Sequence, residues 1–220
     1  MPLALSDLRP YASRPDPRAQ LAWAVAQARR DGATILETGI GRDAQGRETW
    51  HLDVEIPEGH AGTAATIRWM ERLAAEGERD PRVIDLARTV TAGCPPRDRE
   101  CMARAIHEWV RRRVKYVNDP VEMEHLQPAA WTALGTRAED CDGHGVLLCA
   151  MSRAVGIPCA FRTVGRGQGS WFAPARFEHV YPVVGVGANP RGVGWVGADT
   201  TVRHPFGWEP AEGVTVRRHW

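Results

Sequence analysis

Residues 137–158 constrain the fold more than any other stretch, because they have the pattern of one helix that begins at a cysteine. Glu139 and Asp140 supply the acidic, capping chemistry that favours a helix start. Apolar residues then recur at steps of three and four and predict one buried face, made of Leu147, Leu148, Met151 and Val155. Gly156 suits a left-handed C-terminal cap, and Pro158 cannot continue a helix.

Cys141 falls in the first turn of this predicted helix. Unpaired backbone N–H groups and the positive end of the helix dipole stabilise a thiolate there. The charge of the adjacent Asp142 opposes thiolate formation unless its side chain points to solvent. We expect the dipole and an imidazolium partner to outweigh that charge, so the sequence predicts a nucleophile. A buried structural thiol is the alternative.

The length and charge of the chain bound its class. Its 220 residues can bury one core, or one core with a small appended subdomain. A formal net charge of +1 gives no reason to expect a nucleic acid or a membrane surface as partner. We find no secretory signal at the N-terminus and no apolar run near the roughly 20 residues that span a bilayer. The prediction is a cytoplasmic protein.

The five cysteines are odd in number and contain no CxxC pair. This usage predicts reduced thiols in a cytosolic compartment rather than a disulfide framework. Cys149 and Cys159 are expected in the core, whereas Cys94 and Cys101 have no partner motif.

The chain is predicted to have two parts, residues 1–96 and 97–220. The first is a helical region with a β-hairpin around the polar turn 41–47. The second begins with a long helix from Asp98 to about Val117. His107, in the interior of that helix, is expected to be solvated or packed. Beyond the cysteine helix the period changes to that of strands, at 159–164, 178–184 and 194–199, which predicts an antiparallel meander and an α+β fold.

His179 lies within one of these strands, and Asp199 closes the next. A cysteine at a helix start followed by histidine and aspartate on successive strands has the logic of a thiol triad. The histidine takes the thiol proton, and the carboxylate fixes the tautomer and orientation of the imidazole.

Three blocks make this signal more specific: 139–148 with 154–162, 178–184, and 194–201. They resemble the cysteine helix with its following strand, the histidine strand, and the tryptophan-then-aspartate strand of the transglutaminase-like superfamily of papain-type cysteine enzymes. The resemblance covers about residues 97–203 and implies a papain-like core with helices packed on an antiparallel sheet. The family often has His-Ala-Trp where this chain has His179-Val-Tyr181, and no calcium loop is evident.

The resemblance implies that Cys141 is the nucleophile, His179 the general base and acid, and Asp199 the orienting group. It further implies acyl transfer at peptide or carboxamide bonds through a thioester, without a cofactor, on a protein or peptide substrate. Hydrolysis is the default expectation, and cross-linking of glutamine to an amine is the alternative. The helical N-terminal region and the overall organisation of the chain also look like those of transglutaminase-like proteins encoded in phage and prophage clusters. A structural or assembly role with phage structural proteins as partners, and a virion-associated location, are therefore a further hypothesis.

Side chains that would assist this chemistry are harder to identify. The oxyanion hole would use the backbone N–H of Cys141 together with Gln127, which resembles the side-chain donor of papain-type enzymes, or Trp131. A loop-capping role is the other interpretation of Gln127. Trp171 and Trp195 are candidates for a substrate groove or for packing.

A zinc site is the alternative to the triad. Cys141 and His144 lie three residues apart on one helix face, and His179 and Asp199 would complete the set. Gly143 and Gly145 flank the histidine. We prefer the triad and predict no metal.

Overall fold

The computed structural model describes residues 16–30, 32, 34–42, 48–55, 59–118, 126–166, 176–187, 194–211, 213–214 and 216–220. The chain divides into two compact units, residues 1–57 and 58–220. The division into residues 1–96 and 97–220, with a catalytic core in the second part, stays a prediction.

The first unit contains a helix that packs on a hairpin. Helix α1 (Pro17–Arg30) contacts the antiparallel pair β1 (Ile35–Arg42) and β2 (Glu48–Val54). Ala24 and Ala28 lie four residues apart on the helix and are both fully buried. The Trp50 indole N–H donates to the Gln20 side-chain oxygen at 3.3 Å.

The other helices of the described residues lie in the second unit. These are α2 (Gly59–Gly77), α3 (Pro81–Thr91), α4 (Arg99–Arg113), the short α5 (Ala129–Trp131) with a π-helical turn (Thr132–Thr136), and α6 (Cys141–Ala154). Aspartates cap α3 and α4, because the Asp80 side chain accepts from the N–H of Arg82 and the Asp98 side chain from that of Cys101. The sequence predicted the start of α4 at Asp98.

Helix α4 ends earlier than predicted. Val114 is extended, and Lys115–Tyr116 form β3, which pairs in parallel with β4 (Ala138–Glu139). The N–H of Lys115 donates to the carbonyl of Arg137 at 2.8 Å, and that of Val117 to the carbonyl of Glu139 at 3.0 Å. This ladder holds the segment that leads into α6, two residues before the cysteine.

The sheet is antiparallel with the order β7-β6-β5-β8. Its strands are β5 (Cys159–Arg166), β6 (Arg176–Gly185), β7 (Trp195–Gly197) and β8 (Val216–His219). The first three form the predicted meander, so the α+β fold is confirmed. The fourth strand was not predicted; it pairs with the edge of β5 that β6 leaves open.

Helix α6 lies at the centre of this unit. It contacts β5 and β6 as well as α2, α3 and α4, and residues 142–152 are all buried. The sequence predicted one apolar face, whereas the helix is covered on every side. Gly145 fits this position because a Cβ there would lie 3.2 Å from both Met70 and Phe161. Gly156 has φ of 79° and ends the helix as predicted.

The prediction of reduced thiols is wrong for four of the five cysteines. Cys94 is bonded to Cys101, and Cys149 to Cys159. Each pair is close in sequence, and no motif marks either pair. Cys149 and Cys159 are buried, as predicted, but they form a bridge from α6 to β5. Only Cys141 is a free thiol. The cytoplasmic location loses this support and stays a prediction.

Within the described ranges, the helices lack the combination of length and apolar character that crossing a membrane requires.

Candidate active site

Cys141 is the first residue of α6 and is partly buried. The Asp140 carboxylate caps the helix, accepting from the N–H of Asp142 at 2.9 Å and of Gly143 at 3.4 Å. Gly143 is required because a Cβ there would overlap the side chain of Glu139. The ladder before the helix and the cap at its start therefore fix the backbone on both sides of the sulfur.

The structure brings His179 and Asp199 together. His179 lies in β6, Asp199 follows β7, and His179 Nε2 is 2.7 Å from Asp199 Oδ2. The other carboxylate oxygen accepts from the N–H of Thr201 at 2.9 Å and from its hydroxyl at 2.7 Å. Asp199 is 3% exposed. Burial alone would raise the pKa of Asp199, but the bonds from His179 and Thr201 hold that pKa below its ordinary value.

Helix α6, which begins at Cys141, contacts the same strand, and the backbone N–H of Val180 acts to lower the pKa of the Cys141 thiol. That N–H belongs to the peptide unit that follows His179. Since Asp199 binds Nε2, the ring nitrogen that His179 has left for a second partner is Nδ1.

The thiol itself differs from the prediction. Burial raises the pKa of Cys141, and the carboxylates of Asp142 and Asp140 raise it further, while the Val180 N–H acts in the opposite direction. Asp142 does not point to solvent. It is 4% exposed, and its Oδ1 accepts from the Cys141 thiol at 3.3 Å. The helix dipole therefore does not outweigh burial and the charges of Asp140 and Asp142, and the Cys141 thiol keeps its proton in this arrangement.

With this geometry in place, sequence comparison identifies the family. The model of the transglutaminase-like superfamily matches residues 84–200, which is more than half of the chain. The chain belongs to the transglutaminase-like superfamily. The match includes Cys141, His179 and Asp199.

Two solved structures are similar to this member of the superfamily. One is a candidate protease from Parabacteroides distasonis, at 14% identity and a TM-score of 0.46; the match covers 77% of this chain and 39% of that one. The other is a candidate cysteine protease from Cytophaga hutchinsonii, at 14% identity and a TM-score of 0.44, covering 86% of this chain and 73% of that one. A search of the curated proteins finds no match.

Tyr181 stands where the superfamily often has an aromatic residue, two positions after the histidine. Its ring stacks on His179, with centroids 5.8 Å apart and planes inclined by 21°. Its hydroxyl donates to Glu209 Oε2 at 3.1 Å. Burial, and then the charge of Glu209, raise the pKa of Tyr181 to about 12, so the hydroxyl keeps its proton. Tyr181 therefore packs against the face of the imidazole.

The two oxyanion candidates have other contacts in this structure. The Gln127 amide N–H donates to the Thr136 hydroxyl at 2.8 Å and to the Ala138 carbonyl at 3.5 Å. This is the bonding of a loop-capping glutamine. Trp131 packs against Gly135, where a Cβ would lie 2.8 Å from the indole ring. An oxyanion role for Gln127 or Trp131 stays a prediction.

The structure describes one of the two groove candidates. Trp171 lies outside the described residues. Trp195 packs against the core cluster of Ala160, Val164, Tyr181 and Val183, and its ring is 4.9 Å from that of His219. These contacts are those of a side chain that packs against the core. The groove role stays a prediction for both tryptophans.

The structure does not bring the alternative zinc ligands together as one set. In the part of the chain that is described, the group with metal-ligand spacing is Asp140, Cys141 and Asp142, whose ligand atoms lie within 4.8 Å of one another. Oxygens of both carboxylates already accept hydrogen bonds, from the helix N–H groups and from the thiol. His144 bonds instead to Thr200.

Sequence reasoning underestimated two histidines. His107 and His144 are both fully or almost fully buried, and they bond to the segment that carries Asp199. A signal was present for each. His107 falls in the buried stripe Ala103, Ile106, His107 and Val110, and His144 stands in the same relation to Leu147, Leu148 and Met151. The spacing predicts burial, and a buried histidine requires polar partners.

Proposed function

We propose that this protein catalyses cysteine-dependent acyl transfer at peptide or carboxamide bonds, with water as the acceptor. The observation that carries the proposal is the bond between His179 and Asp199 beside the capped helix start at Cys141. Membership of the transglutaminase-like superfamily supports the reaction class. The acceptor and the substrate are the parts that need experiment, because one fold of this kind can host several reactions.

In the proposed reaction, His179 Nδ1 accepts the proton of the Cys141 thiol as the sulfur attacks the carbonyl carbon. The backbone N–H of Cys141 is the proposed donor to the oxyanion that develops. Collapse of the tetrahedral intermediate breaks the C–N bond, and His179 returns its proton to the leaving amine. Water then attacks the thioester with His179 again as base, and the thiol is restored. Asp199, whose pKa is low, stays ionised and stabilises the imidazolium.

The raised pKa of Cys141 decides how the nucleophile forms. A thiol that is buried beside two carboxylates does not ionise by itself at neutral pH. Proton transfer to His179 must therefore accompany attack on the substrate. This corresponds to general-base catalysis rather than to a standing thiolate–imidazolium pair.

The test is to incubate the purified protein with a peptide library and, in parallel, with glutamine peptides and a primary amine. Mass spectrometry then detects cleaved, deamidated or amine-linked products. We expect hydrolysis by the wild type and its loss in Cys141→Ser and His179→Gln. His204→Gln is the matched control, because His204 is exposed and stacks on Trp208. Amine-linked products would instead support the cross-linking alternative.

Products that persist in Cys141→Ser would contradict the proposal. If no library yields a Cys141-dependent product, the assembly hypothesis with phage structural proteins as partners becomes the better explanation. Intact-mass analysis adds a direct readout, since a slow substrate should leave an acyl group on Cys141 that hydroxylamine removes.

One substitution tests the account of the thiol directly. Asp142→Asn removes a carboxylate that raises the pKa of Cys141, so a larger fraction of the thiol should be ionised at pH 7. We expect iodoacetamide to label Cys141 several-fold faster in this variant. The other four cysteines are bridged, so labelling without reductant reports Cys141 alone. An unchanged or slower rate would contradict this account. Glu100→Gln, on the exposed side of α4, is the control.

A further inference from the structure

His107 connects α4 to the residue that orients the proposed general base. It is fully buried, and its Nε2 lies 2.8 Å from the backbone carbonyl oxygen of Asp199. A carbonyl can only accept, so Nε2 must carry the proton. Burial lowers the pKa of His107, which keeps the ring neutral and leaves Nδ1 without a proton. The ring also meets Phe206 edge-on, with centroids 5.7 Å apart.

His144 makes the corresponding connection from α6. It is 1% exposed, and its Nδ1 lies 2.9 Å from the hydroxyl oxygen of Thr200. Thr200 is itself 4% exposed and directly follows Asp199. Burial lowers the pKa of His144 to about 4, with the Lys115 carbonyl acting in the opposite direction. Both histidines are therefore neutral side chains, one bonded to the backbone of Asp199 and the other to the side chain of Thr200.

Together, three sets of contacts fix residues 199–201. His107 holds the main chain of Asp199, His144 holds the side chain of Thr200, and Thr201 occupies Oδ1 of the Asp199 carboxylate. The remaining oxygen, Oδ2, lies against His179. A rotation of the Asp199 backbone that moved Oδ2 away from His179 would break the bond to His107.

We infer that His107 and His144 are positioning residues, which fix the Asp199 carboxylate so that it selects the tautomer and orientation of His179. The catalytic consequence rests on the proposed function, but the positioning itself does not. The competing explanation is that the two histidines only fill and stabilise the core. Positioning and packing make different demands on a substitute: positioning needs the hydrogen bond, and packing needs the shape.

Two pairs of variants separate these demands. His107→Phe keeps a ring of similar size and removes the donor, while His107→Gln places an amide N–H near the position of Nε2. Thr200→Val keeps the shape of the side chain and removes the partner of His144, while Thr200→Ser keeps the hydroxyl. Thr200→Val still gives an answer if His107→Phe does not fold. Ile106→Val, at the fully buried neighbour of His107, controls for lost packing on the same helix.

The first readout is the Nε2–H resonance of His179 in spectra of 15N-histidine-labelled protein, because that proton reports the bond to Asp199. We expect it to shift or broaden in His107→Phe and Thr200→Val and to stay in place in His107→Gln, Thr200→Ser and Ile106→Val. The second readout is the rate of product formation on whichever substrate the peptide libraries identify. Here we expect a loss of about 10- to 100-fold in kcat, with KM little changed, in the two variants that lack the hydrogen bond.

An unshifted His179 resonance in folded His107→Phe and Thr200→Val would overturn the inference. Equal shifts in Ile106→Val would overturn it as well, because packing alone would then explain the effect. The resonance is observed without substrate, so this outcome is separate from failure of the proposed function. That failure would appear as products that persist in Cys141→Ser, or as the absence of any Cys141-dependent product.

Discussion

The His179–Asp199 pair is supported on its two sides by different chemistry. On the aspartate side, two buried neutral histidines from α4 and α6 bind the main chain and the following threonine. On the histidine side, Tyr181 stacks on the imidazole and donates to Glu209. Arg162 lies 2.6 and 2.7 Å from the two oxygens of that glutamate, and Arg217 lies 3.0 Å from one of them. One side is therefore held by uncharged hydrogen bonds, and the other by a charged cluster.

This difference follows from burial. A charge without a partner is costly in the interior, so the contacts to Asp199 are made by imidazoles whose pKa burial lowers. The charged cluster lies nearer to solvent: the Arg217 side chain is 40% exposed and that of Arg162 15%. Acid should therefore reduce the stability that the contacts on the aspartate side provide. On the histidine side, stability should fall when charge is removed, and at the exposed Arg217 it should also depend on salt.

The largest effect is expected where the two sides meet. Asp199→Asn replaces the acceptor of His179 Nε2 with an amide that can donate, which favours the wrong imidazole tautomer. We expect product formation to fall on the order of 10³- to 10⁴-fold with the fold retained. The measurement is kcat on the identified substrate. Glu100→Gln, the same chemical change on the exposed side of α4, should leave kcat unchanged.

A smaller loss in Asp199→Asn, within about threefold of wild type, would mean that the supports on both sides serve stability alone.

The second largest effect is expected when the charge of Glu209 is removed from the histidine side. Glu209→Leu leaves the Arg162 guanidinium without its partner in a site where that side chain is 15% exposed. We expect the free energy of unfolding to fall by about 3 kcal/mol or more. Glu209→Gln keeps one acceptor at the position of Oε2, for the Tyr181 hydroxyl and for an N–H of Arg162, so its loss should be less than half as large.

Urea unfolding with a fixed m-value measures both changes in the Glu209 variants. Equal losses in the two variants would show that shape, rather than charge, determines the contribution of Glu209.

Much of this arrangement could be predicted from the sequence, because local rules govern it. Helix caps at Asp98 and Asp140, the meander, and the order of Cys141, His179 and Asp199 follow from spacing and residue type. The direction of the Cys141 pKa could not be predicted, since it depends on Asp142 being buried rather than solvated.

Long-range contacts were also beyond sequence reasoning. His107 and Asp199 are 92 residues apart, and no local pattern pairs them. Pairing of β8 with β5 depends in the same way on distances that only the folded chain sets. The two disulfides join cysteines close in sequence, but no motif marks either pair, and their formation depends on the folded Cα–Cα distances of 5.7 and 5.2 Å.

Acid should weaken the aspartate side selectively. The pKa of buried His144 is lowered to about 4, whereas an unfolded histidine has its ordinary value near 6.5. Between these two pH values the unfolded chain binds the proton and the folded chain does not, so stability falls as pH falls. The loss attributable to His144 is about 3 kcal/mol across that window. Burial lowers the pKa of His107 too, which adds a loss of the same sign.

Urea unfolding at a series of pH values from 7 to 4 measures this loss. In His144→Asn a side-chain amide can still hydrogen-bond from the position of Nδ1, but nothing titrates there, so the slope should be shallower. A slope that matches wild type would show that His144 is not the group responsible.

The smallest effect is expected at the rim of the charged cluster. Arg217→Ala removes a contact of 3.0 Å to Glu209, but the Arg217 side chain is 40% exposed and Arg162 remains in place. We expect a loss of less than about 1 kcal/mol, and a smaller loss still in 1 M salt, because exposed ion pairs are screened. Urea unfolding at low and high salt measures it. The loss in His107→Phe should not depend on salt, since that bond is buried and uncharged. If the loss in Arg217→Ala did not depend on salt, Arg217 would contribute to stability through its hydrogen bond to the Pro210 carbonyl rather than through its charge.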